Sequence, residues 1–261
     1  MNLKNKGFDN NQTYFEHNLK YSNKPTIFIH GVGLDNSMWN PQKKYFHDKE
    51  IIFYDLLNHG KTKKGFKNLN FKNFSEQLNN LISFLKIDSF NLVGFSIGAL
   101  IAQHFTNHYF KKINKLILIA SVYKRSKEEI NNVQRRFEKV LNGESISDDS
   151  INRWFNKEYL DRNPKVYDFF FKILEKKRLN DFIPAYRLFV ESDNYVISFD
   201  NFKMPTLIMT GEQEVGSTPR MSHLLHDIIN NSELQIIPNA KHMATFEKSD
   251  LVNIKISKFL S

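Results

Sequence analysis

Residues 91–105 read NLVGFSIGALIAQHF: a short apolar run, one serine between two glycines, then an apolar pattern of helical period. A core that only needed filling would not take a hydroxyl between Phe95 and Ile97. The five residues Gly94-Phe95-Ser96-Ile97-Gly98 fit G-x-S-x-G, and a buried strand running into a helix is the setting that motif requires. There the chain turns sharply and the serine hydroxyl projects outward. Small residues two positions to either side let strand and helix pass closely, and the first N–H groups of the helix point the same way as the hydroxyl. Ser96 is therefore a candidate nucleophile.

Working outward, five more apolar runs look like Phe90–Phe95. PTIFIHG (25–31), IIFYDL (51–56), KLILIAS (115–121), PTLIMTG (205–211) and LQIIP (234–238) read as strands buried on both faces, as in a parallel sheet. Helical patterns fall between them at 71–86, 97–109, 218–230 and 249–260, with Thr218 and Ser249 as expected N-caps and Pro219 in the first helical position. Strand alternating with helix gives an α/β fold with a mostly parallel sheet. From 122 to 200 the pattern changes to helices alone, EEINNVQRRFEKVL and PKVYDFFFKILEKK among them. The expected organisation is a core of residues 1–121 and 201–261 with a helical cap, 122–200, inserted into it.

A serine needs a base. Of nine histidines, only His242, in PNAKHMATFE, falls in the loop expected between the last strand and the last helix. His104 and His108 read as surface positions of a helix, and His30 and His59 as residues that shape turns. The base needs an orienting acid after the strand PTLIMT, where GEQEVGSTP offers Glu212 and Glu214. Glu214 is preferred. Both glutamates also read as surface residues ahead of a helix that favours acids near its start. Ser96, Glu214, His242 is the chain order Ser…acid…His expected for this fold. The turn HGVGLDNSMW (30–39) leaves backbone N–H groups free, and the N–H of Val32 with that of Ile97 would form an oxyanion hole.

Composition narrows the function classes. The chain has no cysteine, which excludes disulfides, thiolate nucleophiles and cysteine zinc sites. The formal charge of +9 is spread as scattered lysines and comes with no nucleic-acid-reading motif, so a nucleic-acid partner is not expected. The start MNLKNKGFDNNQTYFEH has no apolar core of a signal peptide, and no apolar run reaches the ~20 residues of a membrane span. A cytoplasmic protein without cofactor, metal or membrane partner is expected.

Taken in order, HGVG, YDLLNHGKT (54–62), GFSIG, PTLIMTGEQE and KHM resemble the α/β-hydrolase superfamily over essentially the whole length. Two departures stand out. Leu57 and Asn58 replace Arg and Gly of the usual D-x-R-G-H-G-x-S, and glutamate stands at 214 where the family usually has aspartate. RWFNKEYLDRNP (153–164) and SMWNPQ (37–42) are similar to the 3-oxoadipate enol-lactonase group. That resemblance implies a small ester or lactone substrate, with Trp39, Arg153 and Trp154 at its binding site. Arg153 could pair with a substrate carboxylate while the Trp154 indole packs on its carbon skeleton. A cap helix with a surface arginine and a core tryptophan reads as well. The same scaffold also carries carbon–carbon bond hydrolases, acyltransferases and non-catalytic ligand receptors.

Overall fold

The structure is a computed structural model that describes residues 5–21, 24–176 and 179–261. Eight strands form one sheet: β1 (Asn5–Phe8), β2 (Tyr14–His17), β3 (Thr26–Ile29), β4 (Ile51–Tyr54), β5 (Phe90–Phe95), β6 (Ile113–Ile119), β7 (Thr206–Gly211) and β8 (Ser232–Ile237). Their order is β1-β2-β4-β3-β5-β6-β7-β8. From β4 to β8 all pairs are parallel, whereas β1 and β2 pair antiparallel with each other and β2 pairs antiparallel with β4. The six strands expected from the apolar runs are all present. β1 and β2 were not expected. β1 is the four-residue edge segment NKGF, mostly exposed, and carries no apolar run to read.

The helices are α1 (Asn40–Tyr45), α2 (Phe71–Phe84), α3 (Ile97–Tyr109), α4 (Lys127–Leu141), α5 (Ser147–Trp154), α6 (Lys157–Arg162), α7 (Pro164–Lys176), α8 (Leu179–Val190), α9 (Pro219–Ile228), α10 (Ala244–Glu247) and α11 (Ser249–Leu260). The helical pattern PKVYDFFFKILEKK ends at Lys177, outside the described residues, as do residues 1–4 of the expected core. No helix among the described residues is long and apolar enough to cross a membrane.

Strand periodicity sorts the core into two layers. Ile27, Ile29, Leu92, Leu116, Leu118 and Ile208 face α2, α3 and α9. Their neighbours Phe28, Val93, Ile117, Ile119, Leu207 and Met209 face α11 and helices α5 to α7. Five helices, α4–α8, lie between β6 and β7, and Val133, Phe137, Val140, Phe182, Tyr186 and Val190 of α4 and α8 build a small apolar cluster of their own. Arg125 ties the two ends of this insertion together. Its guanidinium donates to the carbonyls of Phe189 and Val190 and pairs with Asp193 at 2.9 Å.

Two expected caps differ. Thr218 holds the N-cap of α9 with Pro219 following, but its hydroxyl makes no capping hydrogen bond. Ser249 is the first helical residue of α11, and Lys248 occupies the N-cap.

Candidate active site

The candidate residues follow the carboxyl ends of four parallel strands, where such sheets place their ligands. Val32 follows β3, Ser96 follows β5, Glu214 follows β7 and His242 follows β8. Ser96 sits between β5 and α3 with φ 56° and ψ −120°, a left-handed conformation unfavourable for any residue with a Cβ. The two glycines make this turn possible. A Cβ on Gly98 would lie 2.5 Å from the Ile29 carbonyl oxygen, and one on Gly94 would run into the Gly98 carbonyl. Both obstacles are backbone, which cannot rotate away. Gly98→Ala is therefore expected to cost about 3 kcal/mol, lowering Tm by roughly 6–12 °C in a thermal melt. An unchanged Tm would show that β3 and α3 do not need this close approach.

Glu214 and His242 are joined directly. His242 Nδ1 lies 2.5 Å from Glu214 Oε2, and Glu214 Oε1 accepts the N–H groups of Gly216 at 2.5 Å and Ser217 at 3.2 Å. Burial pushes the Glu214 carboxyl upward, but the charge and hydrogen bond of His242, then Arg153 and the Gly216 N–H, outweigh it and hold the group at about 2. Glu212 points elsewhere. It is exposed and accepts the Asn239 N–H at 3.0 Å.

The imidazole of His242 lies between two aromatic rings, Phe95 at 4.8 Å and Trp154 at 6.0 Å between centroids. The loop around it is tied to the end of α5: the Met243 N–H donates to the Trp154 carbonyl at 3.0 Å, and Asn156 Nδ2 to the Asn239 carbonyl at 3.2 Å. Trp154 thus holds the histidine loop as well as lining the cavity. Ser96 and His242 face one cavity of about 170 Å³, which is also lined by Val32, Arg153 and Trp154. Among the described residues no hydrogen bond joins Ser96 to His242. Such bonds are often long without substrate and tighten when it binds.

The Val32 turn is set by two neutral histidines. The Gly33 N–H donates to His59 Nε2 at 3.0 Å, and the Leu56 N–H to His30 Nε2 at 2.9 Å. Each Nε2 is an acceptor, so each ring carries its proton on Nδ1, facing the Leu57 and Gly31 carbonyls at 2.8 Å. Burial lowers His30 to about 4; burial and then the neighbouring His30 lower His59 to about 3. The Val32 N–H has no acceptor among the described residues, and Ile97 is the first residue of α3, so its N–H has no partner within the helix.

Two sequence expectations change. Trp39 does not reach the cavity. It is fully buried below it, its ring against Phe28 and Phe95. His104 is not a surface residue: it is buried and stacks on Phe71 at 4.0 Å. Asn58 does fit the place of the missing glycine. Its φ is 64°, which asparagine tolerates better than most residues, and its amide donates to the Phe66 and Asp181 carbonyls. The sequence reading missed Arg136 of α4, which lines the same cavity. On a helix of mixed charge, with glutamates, lysines and a second arginine, nothing in the pattern separates it from a solvated face.

The family model described as alpha/beta hydrolase fold matches residues 24–249. The chain belongs to this family. It is 26% identical over 256 residues to an (E)-2-((N-methylformamido)methylene)succinate hydrolase of Acinetobacter baylyi, covering 96% of this chain and 95% of the relative. It is 22% identical to 3-oxoadipate enol-lactonase 2 of the same organism, covering 87% and 85%. In three dimensions it is similar to the enol-lactonase from Burkholderia xenovorans LB400, with a TM-score of 0.85 at 20% identity over 98% of this chain and 99% of that one. The resemblance to the enol-lactonase-like group read from the sequence agrees with these similarities.

Proposed function

We propose that this hydrolase cleaves small carboxylic esters or lactones, preferring those whose acyl part carries a carboxylate, through a Ser96–His242–Glu214 triad. The observation that carries this reading is the Glu214–His242 pair at 2.5 Å, beside the cavity that the left-handed Ser96 also faces. Residues 122–200 act as a cap over a core of 1–121 and 201–261.

Ser96 Oγ attacks the substrate carbonyl as His242 Nε2 takes its proton. Glu214 keeps the other ring proton on Nδ1 and stabilises the imidazolium. The carbonyl oxygen becomes an oxyanion held by the Val32 and Ile97 N–H groups, a stabilisation of about 3–4 kcal/mol per donor in comparable sites. The carbon–oxygen bond to the leaving alcohol then breaks, and His242 returns its proton to the alkoxide. Water repeats the sequence on the acyl-enzyme and frees Ser96. Arg153 at the cavity wall supports the carboxylate preference, as do two relatives whose names contain a succinate and an oxoadipate.

Mixing the protein with a p-nitrophenyl ester is expected to release a burst approaching one p-nitrophenolate per chain when deacylation is slower than acylation. A fluorophosphonate is expected to leave one adduct, on Ser96, by peptide mass spectrometry. No adduct and no turnover across a panel of small esters and lactones would overturn the proposal.

A further inference from the structure

Five charged residues border the Ser96 cavity or the pair beside it on the protein side. Three have partners. Arg125 is engaged by Asp193 and the α8 carbonyls. Glu129 accepts from Arg220 at 2.7 Å and from the Ser126 N–H at 2.6 Å. Glu214 is held by His242 and two backbone N–H groups. Arg136 and Arg153 are left. Neither has a hydrogen bond or an ion pair among the described residues, both line the cavity, and the Arg136 Nε is buried without a partner.

The placement follows from the helices. Glu129, Asn132, Val133 and Arg136 all line the cavity, spaced three and four apart on one face of α4. Arg153 comes from the last turn of α5, with its Nη1 against Gly216. Arg153 responds to its surroundings: burial lowers its proton affinity most, the charge of Arg136 lowers it further, and the carboxylate of Glu214, already engaged by His242 and two backbone N–H groups, raises it. Two like charges at one half-enclosed wall, one with a buried unsatisfied donor, are costly to leave unpaired. An anion entering the cavity removes both costs, and the planar donor forks of two arginines suit the oxygens of a carboxylate.

We propose that Arg136 is a second specificity-determining residue of this cavity, forming with Arg153 a paired guanidinium site for the carboxylate at the far end of the substrate's acyl chain. The inference rests on the hydrolase reading for its substrate, though not for its anion site. It makes the preferred substrate a half-ester or lactone of a short dicarboxylic acid. It also separates the local pair from the diffuse positive surface, which attracts anions without selecting among them.

The test compares p-nitrophenyl hemiglutarate with p-nitrophenyl 5-methylhexanoate, in which an isopropyl group replaces the carboxylate at equal length. The parent is expected to favour the hemiglutarate in kcat/KM. In Arg136→Met that ratio is expected to fall roughly 10- to 100-fold. Arg135→Met removes the same charge one residue away, on the exposed side where Arg135 bonds Asn132, and is expected to keep the ratio. If the methionine variant does not fold, Arg136→Gln takes its place. A ratio untouched by the Arg136 substitution, an equal loss in Arg135→Met, or a parent that favours the neutral ester would each overturn the proposal. If the parent cleaves neither ester, the hydrolase reading fails, and glutarate binding by calorimetry decides the anion site separately. Glutarate is expected to bind Ser96→Ala at least ~10-fold more tightly than Ser96→Ala/Arg136→Met. Equal or absent binding in the two would overturn it.

Discussion

Ser96→Ala is expected to lower ester turnover by about 10³-fold or more while the protein stays folded. The second half of that expectation separates chemistry from damage. Ser96 already carries a Cβ at φ 56° and ψ −120°, so alanine meets the same backbone strain and adds none. Only the hydroxyl is lost, and it faces a cavity rather than a filled core. The Ser96 N–H still donates to the Ile119 carbonyl, and the Ser96 carbonyl still accepts from Ala99 at the start of α3. The melting temperature should therefore hold or rise slightly as kcat collapses. Some catalysis over water should survive, because the Val32 and Ile97 N–H groups do not depend on the serine. Hydrolysis of a p-nitrophenyl ester near the parent rate would remove Ser96 from the mechanism. A lost fold would mean that its hydroxyl has a structural partner.

Much of this arrangement was legible in the sequence, for physical reasons. A strand covered on both faces is apolar at nearly every position, so Thr26–Ile29, Ile51–Tyr54 and their parallel neighbours stand out as runs. β1 and β2 lie at an antiparallel edge, and Asn5–Phe8 has no buried face to announce it. The positions of Ser96, Glu214 and His242 were readable because each follows a recognisable strand, and the fold gathers strand ends at one rim. Side-chain direction was not readable. Trp39 sits in a short helical turn whose sequence does not say which way the indole points, and it points into the core. The role of Trp154 in holding the His242 loop depends on a backbone contact across a long sequence separation, which no local pattern reports. Arg136 is the same kind of case: it lines the same cavity as Arg153, which lies on another helix.

Between the two candidate acids, Glu214→Gln is expected to lower kcat by about 10⁴-fold, while Glu212→Gln stays within a few-fold of the parent. The geometry makes the asymmetry. Glu214 is buried, with one oxygen on His242 Nδ1 and the other fixed by two backbone N–H groups. Those N–H groups compel a glutamine to turn its carbonyl oxygen toward Gly216 and Ser217, leaving its NH₂ facing the imidazole. A donor there makes Nδ1 the acceptor and moves the ring proton to Nε2, the nitrogen that has to accept the proton of Ser96. The variant keeps a well-placed histidine in the wrong tautomer and loses the charge that stabilises the imidazolium. Glu212 is exposed, and the bond its carboxylate accepts from the Asn239 N–H survives amidation through the carbonyl of the amide. The Glu214 carboxyl is held at about 2, so it stays ionised across the working range, and an acid limb in the pH–rate profile is not set by its protonation. Its depressed value also links it to stability. The unfolded carboxyl takes up its proton near 4.5, so the stabilisation is complete above that value and disappears as pH falls toward 2. Acid melts of the parent and Glu214→Gln should therefore converge only as the pH approaches 2. Equal losses of kcat in both glutamine variants, or a loss at 212 alone, would move the acid away from Glu214.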